Sequence, residues 1–186
     1  MKTRRCTCLL VLRFFALAGL VLGFDGSGAA QPSETAVKAS FLPRFARYVA
    51  WPAGVQPRGG APFQLCVIGL DPFGRMLDDA ASRERIDGHR VTVRRVGSVD
   101  RALGCHVAFV EGPAAQETSR MLLALRGQPA LTVTDGRAGA ARGMIHFTVV
   151  DGRVRFFIDE ASAAERGLSI SSRLLAIAAG VRPRRS

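Results

Sequence analysis

Three observations predict an α/β fold: a single domain with a mixed, mostly parallel sheet, extended by an antiparallel hairpin and flanked by helices. Two short apolar runs, Phe63–Ile68 and His106–Val110, have the character of strands buried on both faces. Helix-like segments separate these runs from further strand-like ones, an alternation that marks parallel βαβ units. Near the C-terminus two apolar strands flank Asp151-Gly152, the strongest short signal for a hairpin.

Element by element, Val37, Phe41, Phe45 and Tyr48, with Leu42 and Val49 alongside, fall on one stripe of a helix predicted from about Ser33 to Ala50, with Ser33 as its cap. Pro43 lies inside this pattern, where a proline costs a helix roughly 3 kcal/mol and kinks it. Trp51-Pro52 ends it, because a residue before proline is pushed out of the helical region. Phe41 and Phe45 are expected to face the sheet, leaving Tyr48 and Trp51 as the surface residues of the cluster. After the strand Phe63–Ile68, a helix is predicted over Asp71–Ala80, with Asp71 as cap and Pro72 in its first turn. Arg90–Val96 alternates only in part and reads as a strand near an edge.

A short helical turn over Val99–Leu103 leads into the strand His106–Val110. Ala114–Arg126 reads as an amphipathic helix and Ala130–Thr134 as a strand. Met144–Val150 and Arg153–Ile158 form the hairpin. Asp159 starts a short helix ending near Gly167, and Leu168–Val181 reads as the last helix. The tail Arg182–Ser186 is expected to lack structure.

Residues 1–30 differ from the remainder. Lys2, Arg4 and Arg5 precede an apolar run from Leu9 to Leu22, and the small residues Gly26–Ala30 follow, the three-part layout of a secretory signal peptide. The run is short for a bilayer span and Arg13 interrupts it. Cleavage near Ala30 leaves residues 31–186 as one domain carrying about +8 of the formal +11 charge. Outside the cytoplasm such a surface meets acidic partners or anionic membranes rather than nucleic acid. Two cysteines remain, Cys66 and Cys105, and an even count in an exported chain reads naturally as a disulfide. Two buried thiols are the alternative, and metal binding comes third because no Cys-x-x-Cys or His pair at ligand spacing accompanies them.

Enzymatic chemistry finds little support. Cys105 and His106 are adjacent in one strand and point to opposite faces, so they cannot act as nucleophile and base. His89 and His146 have no metal-ligand spacing. Gly69–Gly74 lacks the Gly-Lys-Ser/Thr ending of a phosphate loop. Leu168–Ser172 lacks the Gly-x-Ser-x-Gly elbow of a hydrolase. Asp71 and Asp135 end strands, where open α/β sheets bind ligands, and mark a candidate crevice. No catalytic residue, cofactor or metal site is assigned. The last predicted helix is apolar over more than one face through Leu168, Ile170, Leu174 and Ile177, and part of it could serve as a docking patch.

The blocks Ala36–Leu42, Phe45–Pro52, Leu65–Gly74, Leu131–Asp135, Gly143–Ile145, Arg153–Phe156 and Gly167–Leu175 together resemble the YfiR family, in order and over nearly the whole chain after the leader. The resemblance implies a periplasmic protein without catalysis that binds the periplasmic part of an inner-membrane diguanylate cyclase and represses it, controlling cyclic di-GMP and biofilm formation. It also implies an OmpA-like outer-membrane lipoprotein able to sequester the repressor, and leaves room for a homodimer. Family members often carry two disulfides. Cys66 and Cys105 match one pair, and the region before the hairpin has no cysteines for the other. The expected partner-binding residues are Leu168, Ile170, Leu174 and Ile177, with Arg173 and Arg182 steering an acidic partner. The competing reading is a periplasmic small-ligand-binding protein that uses the Asp71 and Asp135 crevice to serve a sensor or transporter.

Overall fold

In the computed structural model, which describes residues 31–99, 104–136 and 139–184, helix α1 (Glu34–Phe45) begins at Ser33, whose Oγ accepts the Ala36 N–H at 3.2 Å. It ends sooner than its apolar pattern predicts. Pro43 has no N–H to give the preceding turn, and the chain tightens into a 3₁₀ turn (Ala46–Tyr48) before extending as β1 (Val49–Ala50). The buried stripe is also rotated from the predicted one. Lys38, Ala39, Leu42, Phe45, Ala46 and Val49 are buried, whereas Val37 and Phe41 are only partly so and Tyr48 is exposed.

Strand β2 (Phe63–Gly69) leads to α2 (Arg75–Ser82), which starts later than expected. Asp71 is not its cap. The Asp71 Oδ1 accepts from the Phe73 and Gly74 N–H groups in a turn of its own, and Gly74, at φ +51°, is the residue that opens the helix. Strands β3 (Arg85–Ile86) and β4 (His89–Val96) form an antiparallel hairpin about Asp87-Gly88. Next come β5 (Val107–Glu111), α3 (Ala115–Ala124), β6 (Leu131–Asp135), β7 (Ile145–Val150) and β8 (Arg153–Asp159). The predicted turn over Val99–Leu103 falls largely outside the described residues, and the predicted signal peptide, residues 1–30, lies wholly outside them.

The last predicted helix is replaced by three pieces. After α4 (Glu160–Ala164), capped by Asp159, residues Ser169–Ile170 form β9 and pair antiparallel with β1. Helix α5 is only Ser172–Ile177, and Gly180–Arg182 form β10, parallel to β8. Tertiary pairing overrides a helix-compatible sequence here. Ser171 N–H donates to the Tyr48 carbonyl at 2.8 Å, and the Gly180 backbone lies so close to Phe157 that a Cβ would sit 2.9 Å from its ring. The tail is ordered through Arg184, whose guanidinium pairs with Glu160 at 3.1 Å.

The sheet order is β10-β8-β7-β6-β5-β2-β4-β3. Strands β7, β6, β5, β2 and β4 run parallel, β8 returns against β7, and β3 returns against β4. From Pro32 onward the chain is one compact unit. Alternate residues of the central strands face opposite layers. Leu65, Val67, Val107, Phe109, Val133 and Phe147 pack with residues of α1 and α2, whereas Cys66, Ile68, Ala108 and Val110 pack with Leu125 and Ala130 on the side of α3. Cys66 and Cys105 form a disulfide in the second layer, with a Cα–Cα distance of 5.8 Å.

Candidate functional site

The amino ends of β2 and β5 carry an aromatic assembly. Phe63 stacks on His106 with ring centroids 4.3 Å apart, and Trp51 meets Phe63 edge-on at 5.0 Å. Trp51 is only 7 % exposed, which corrects the expectation that it lies at the surface, while Tyr48 is 38 % exposed. The His106 ring joins two backbones. Its Nδ1 accepts the Gln64 N–H at 3.0 Å, so the proton sits on Nε2, which donates to the Val55 carbonyl at 2.9 Å. Burial pushes its pKa below the ordinary value, and the ring acts as a neutral strut between β2 and the loop after Trp51.

This assembly forms one wall of a cleft of about 380 Å³, bounded also by Tyr48, His89, Ser169 and Ser171. Pairing of β1 with β9 brings Ser169 and Ser171 to it. Two side-chain atoms of its lining residues, Trp51 Nε1 and Ser171 Oγ, are buried without a hydrogen-bond partner. Leaving such groups unpaired costs about 1–3 kcal/mol each, a cost that an incoming polar group can remove. The residues lining the cleft include an indole, an imidazole and two serines, with the exposed phenol ring of Tyr48 on its rim. Arg47, which also lines it, pairs with Glu84 at 3.2 Å, as does Arg44.

The residues expected to bind a partner separate into two groups. Leu168, Ile170 and Leu174 are 3 %, 5 % and 2 % exposed and belong to the core, because β9 and the short α5 turn them inward against the α1 layer. Arg173 and Ile177 are exposed on α5, and Arg182 is exposed but paired with Asp159 at 2.8 Å. The C-terminal segment borders the cleft through Ser169 and Ser171, which no local sequence motif singles out.

Asp71 and Asp135 do not form a shared crevice. Asp71 pairs with Arg95 at 2.6 Å; burial alone would raise its pKa, but the Arg95 hydrogen bond and the Phe73 and Gly74 N–H groups hold it below the usual carboxylate value. Asp135 ends β6, with β5 standing between it and β2, and is 2 % exposed. Lys38 Nζ donates to both of its oxygens at 2.9 and 2.8 Å and also pairs with Glu34. Lys38, itself 1 % exposed, is the one lysine after residue 30 and stands at helical spacing from Leu42 and Phe45, the signal by which the sequence could have shown it. Beside it, the Thr134 hydroxyl accepts the Gly143 N–H and shares a hydrogen bond with His146 Nδ1 at 2.8 Å. Burial, with Arg142 and Lys38 adding to it against Asp135, pushes His146 down to about 4.

Among the described residues no group of three or more His, Cys, Asp or Glu side chains gathers to hold a metal, and no helix is long and apolar enough to cross a membrane. A family model described as YfiR/HmsC-like matches residues 35–179. No curated protein matches the chain.

Proposed function

Because this chain belongs to the YfiR/HmsC-like family, whose members are regulators in cyclic di-GMP signalling, we propose that it is exported and represses an inner-membrane diguanylate cyclase by docking on its periplasmic domain. On this reading residues 1–30 are removed on export and residues 31–186 are the repressor. No step of the function is catalytic.

The observation that supports the docking position is the cleft lined by Trp51, Phe63, His106 and Ser171, with the exposed Tyr48 on its rim. A partner segment that lays an apolar side chain against the aromatic wall and a polar group against the serine rim would bury both kinds of surface at once. Arg173 and Ile177, on the helix that follows Ser171, extend the surface with a cation and an apolar contact. An OmpA-like lipoprotein that sequesters the repressor would compete for the same surface.

Deleting the gene, then restoring wild type or Tyr48→Asp, tests this. Deletion is expected to raise cellular cyclic di-GMP, wild type to lower it again, and a folded Tyr48→Asp protein to fail, its affinity reduced about tenfold or more. Unchanged cyclic di-GMP on deletion, in a strain that expresses the cyclase, contradicts the proposal.

A further inference from the structure

We propose that the cleft between α3, the segment 139–144 and the end of α4 is a binding site for a small organic oxyanion with a short apolar body. Three arginines from three parts of the chain line it. Arg126 follows the C-cap of α3, Arg142 stands in the segment before β7, and Arg166 follows α4. The cleft holds about 610 Å³, within the range of roughly 300–1,000 Å³ typical of small-molecule sites.

Two of the three cations are carried on fixed positions. Gly143 presses against β6 so closely that a Cβ would lie 2.7 Å from the Thr132 carbonyl oxygen. Its N–H donates to Thr134 Oγ1 at 2.9 Å, and the Met144 N–H donates to Thr132 Oγ1 at 3.1 Å, so the backbone bearing Arg142 is tied to the sheet. Arg166 is half-buried and donates to the Leu125 carbonyl at 3.2 Å.

Charge balance decides what the cleft attracts. The C-terminus of α3 contributes about −0.5 of a charge, which Arg166 already answers. Arg126 and Arg142 are in excess of it. Among the described residues no carboxylate forms an ion pair with any of the three, and the one acid lining the cleft, Glu165, is exposed. Burial and the neighbouring Arg126 lower the affinity of Arg166 for its proton, and Glu165 only partly offsets them. Arginine forks fit carboxylate and phosphate oxygens bidentately. The floor supplies the remainder of the recognition: Leu122, Ala141 and Met144 are apolar, Leu123 is 50 % exposed, and Ser119 adds a hydroxyl.

The full exported chain, labelled for amide NMR, is titrated at low ionic strength with hexyl phosphate, hexanoate and inorganic phosphate. Hexyl phosphate or hexanoate is expected to shift the amides of Ser119, Leu122, Arg142 and Ser162 saturably, the two probes distinguishing a phosphate from a carboxylate head, with inorganic phosphate weaker for want of the apolar part. The double variant Arg126→Ala/Arg142→Ala leaves the Arg166 bond to Leu125 in place and should weaken binding at least about tenfold while keeping the native spectrum. Arg153→Ala/Arg155→Ala, on the hairpin, removes the same net charge and should bind as wild type. Absence of saturable shifts with both organic probes overturns the proposal, as does equal weakening in the two double variants, which would mark attraction to net charge only.

Discussion

Lys38 and Asp135 form a buried ion pair whose separation costs more than its removal. Taking away Lys38 removes a direct partner of a carboxylate that is 2 % exposed, and breaking such a buried pair costs about 3–5 kcal/mol. Lys38→Met should therefore lower stability to urea by that amount, and adding Asp135→Asn should return at least half of it. A single variant within about 1 kcal/mol of wild type would show that the pair does not hold α1 on the sheet. His146 provides a second test. Its folded pKa of about 4 lies below the ordinary 6.5, so between these values the unfolded chain binds more protons and stability falls as pH drops from about 6.5 towards 4. The loss approaches about 3 kcal/mol at the acid end. His146→Asn keeps a hydrogen-bonding side chain for the Thr134 hydroxyl and removes the titration, so its stability should fall less over that range than wild type's; parallel profiles would refute the assignment. Neither residue was visible as a network in the sequence. A lysine at position 38 reads as solvated until Asp135, 97 residues away, is seen to meet it.

At the scale of elements, local signals held where they agreed with the tertiary pairing. Asp151-Gly152 makes the predicted hairpin, with φ of +50° and +69° as a type I′ turn requires. The same dipeptide at Asp87-Gly88 makes a second one that the reading passed over, because its first strand is only two residues long and shows no alternation. The last predicted helix failed for a related reason. Leu168–Val181 satisfies a helical pattern, yet Ser169–Ile170 gains a strand partner in β1 and Gly180–Arg182 another in β8, neither of which a local window contains. The disulfide joins β2 to the start of β5 across a separation of 39 residues, and closing such a loop stabilises a fold by about 4 kcal/mol on the chain-entropy view. Cys66→Ala/Cys105→Ala should lose a comparable amount in urea unfolding without change in the native spectrum. A loss below about 1 kcal/mol would mean that the β2–β5 pairing is already fixed in the unfolded ensemble.

For the whole molecule, strand–helix alternation was enough to foresee a mostly parallel sheet with a hairpin extension, because each βαβ unit has one favoured hand and few arrangements remain. The candidate site was less legible. Open α/β sheets hold ligands at the carboxyl ends of their strands, so attention fell on Asp71 and Asp135, both of which the chain's own cations occupy. The aromatic cleft lies at the amino ends instead, assembled from Trp51, His106 and Ser171, far apart in sequence and joined by β1–β9 pairing. The opposite end of the sheet offers an internal control, since β7 runs parallel to β6 and carries the exposed Val149 towards the hairpin turn. The most direct test places a photo-crosslinking amino acid at Tyr48 or at Val149 in cells that express the membrane cyclase. Docking at the cleft predicts a covalent adduct with the cyclase from position 48 and none from 149. An adduct from 149 alone, or none from either position in folded protein, would contradict it.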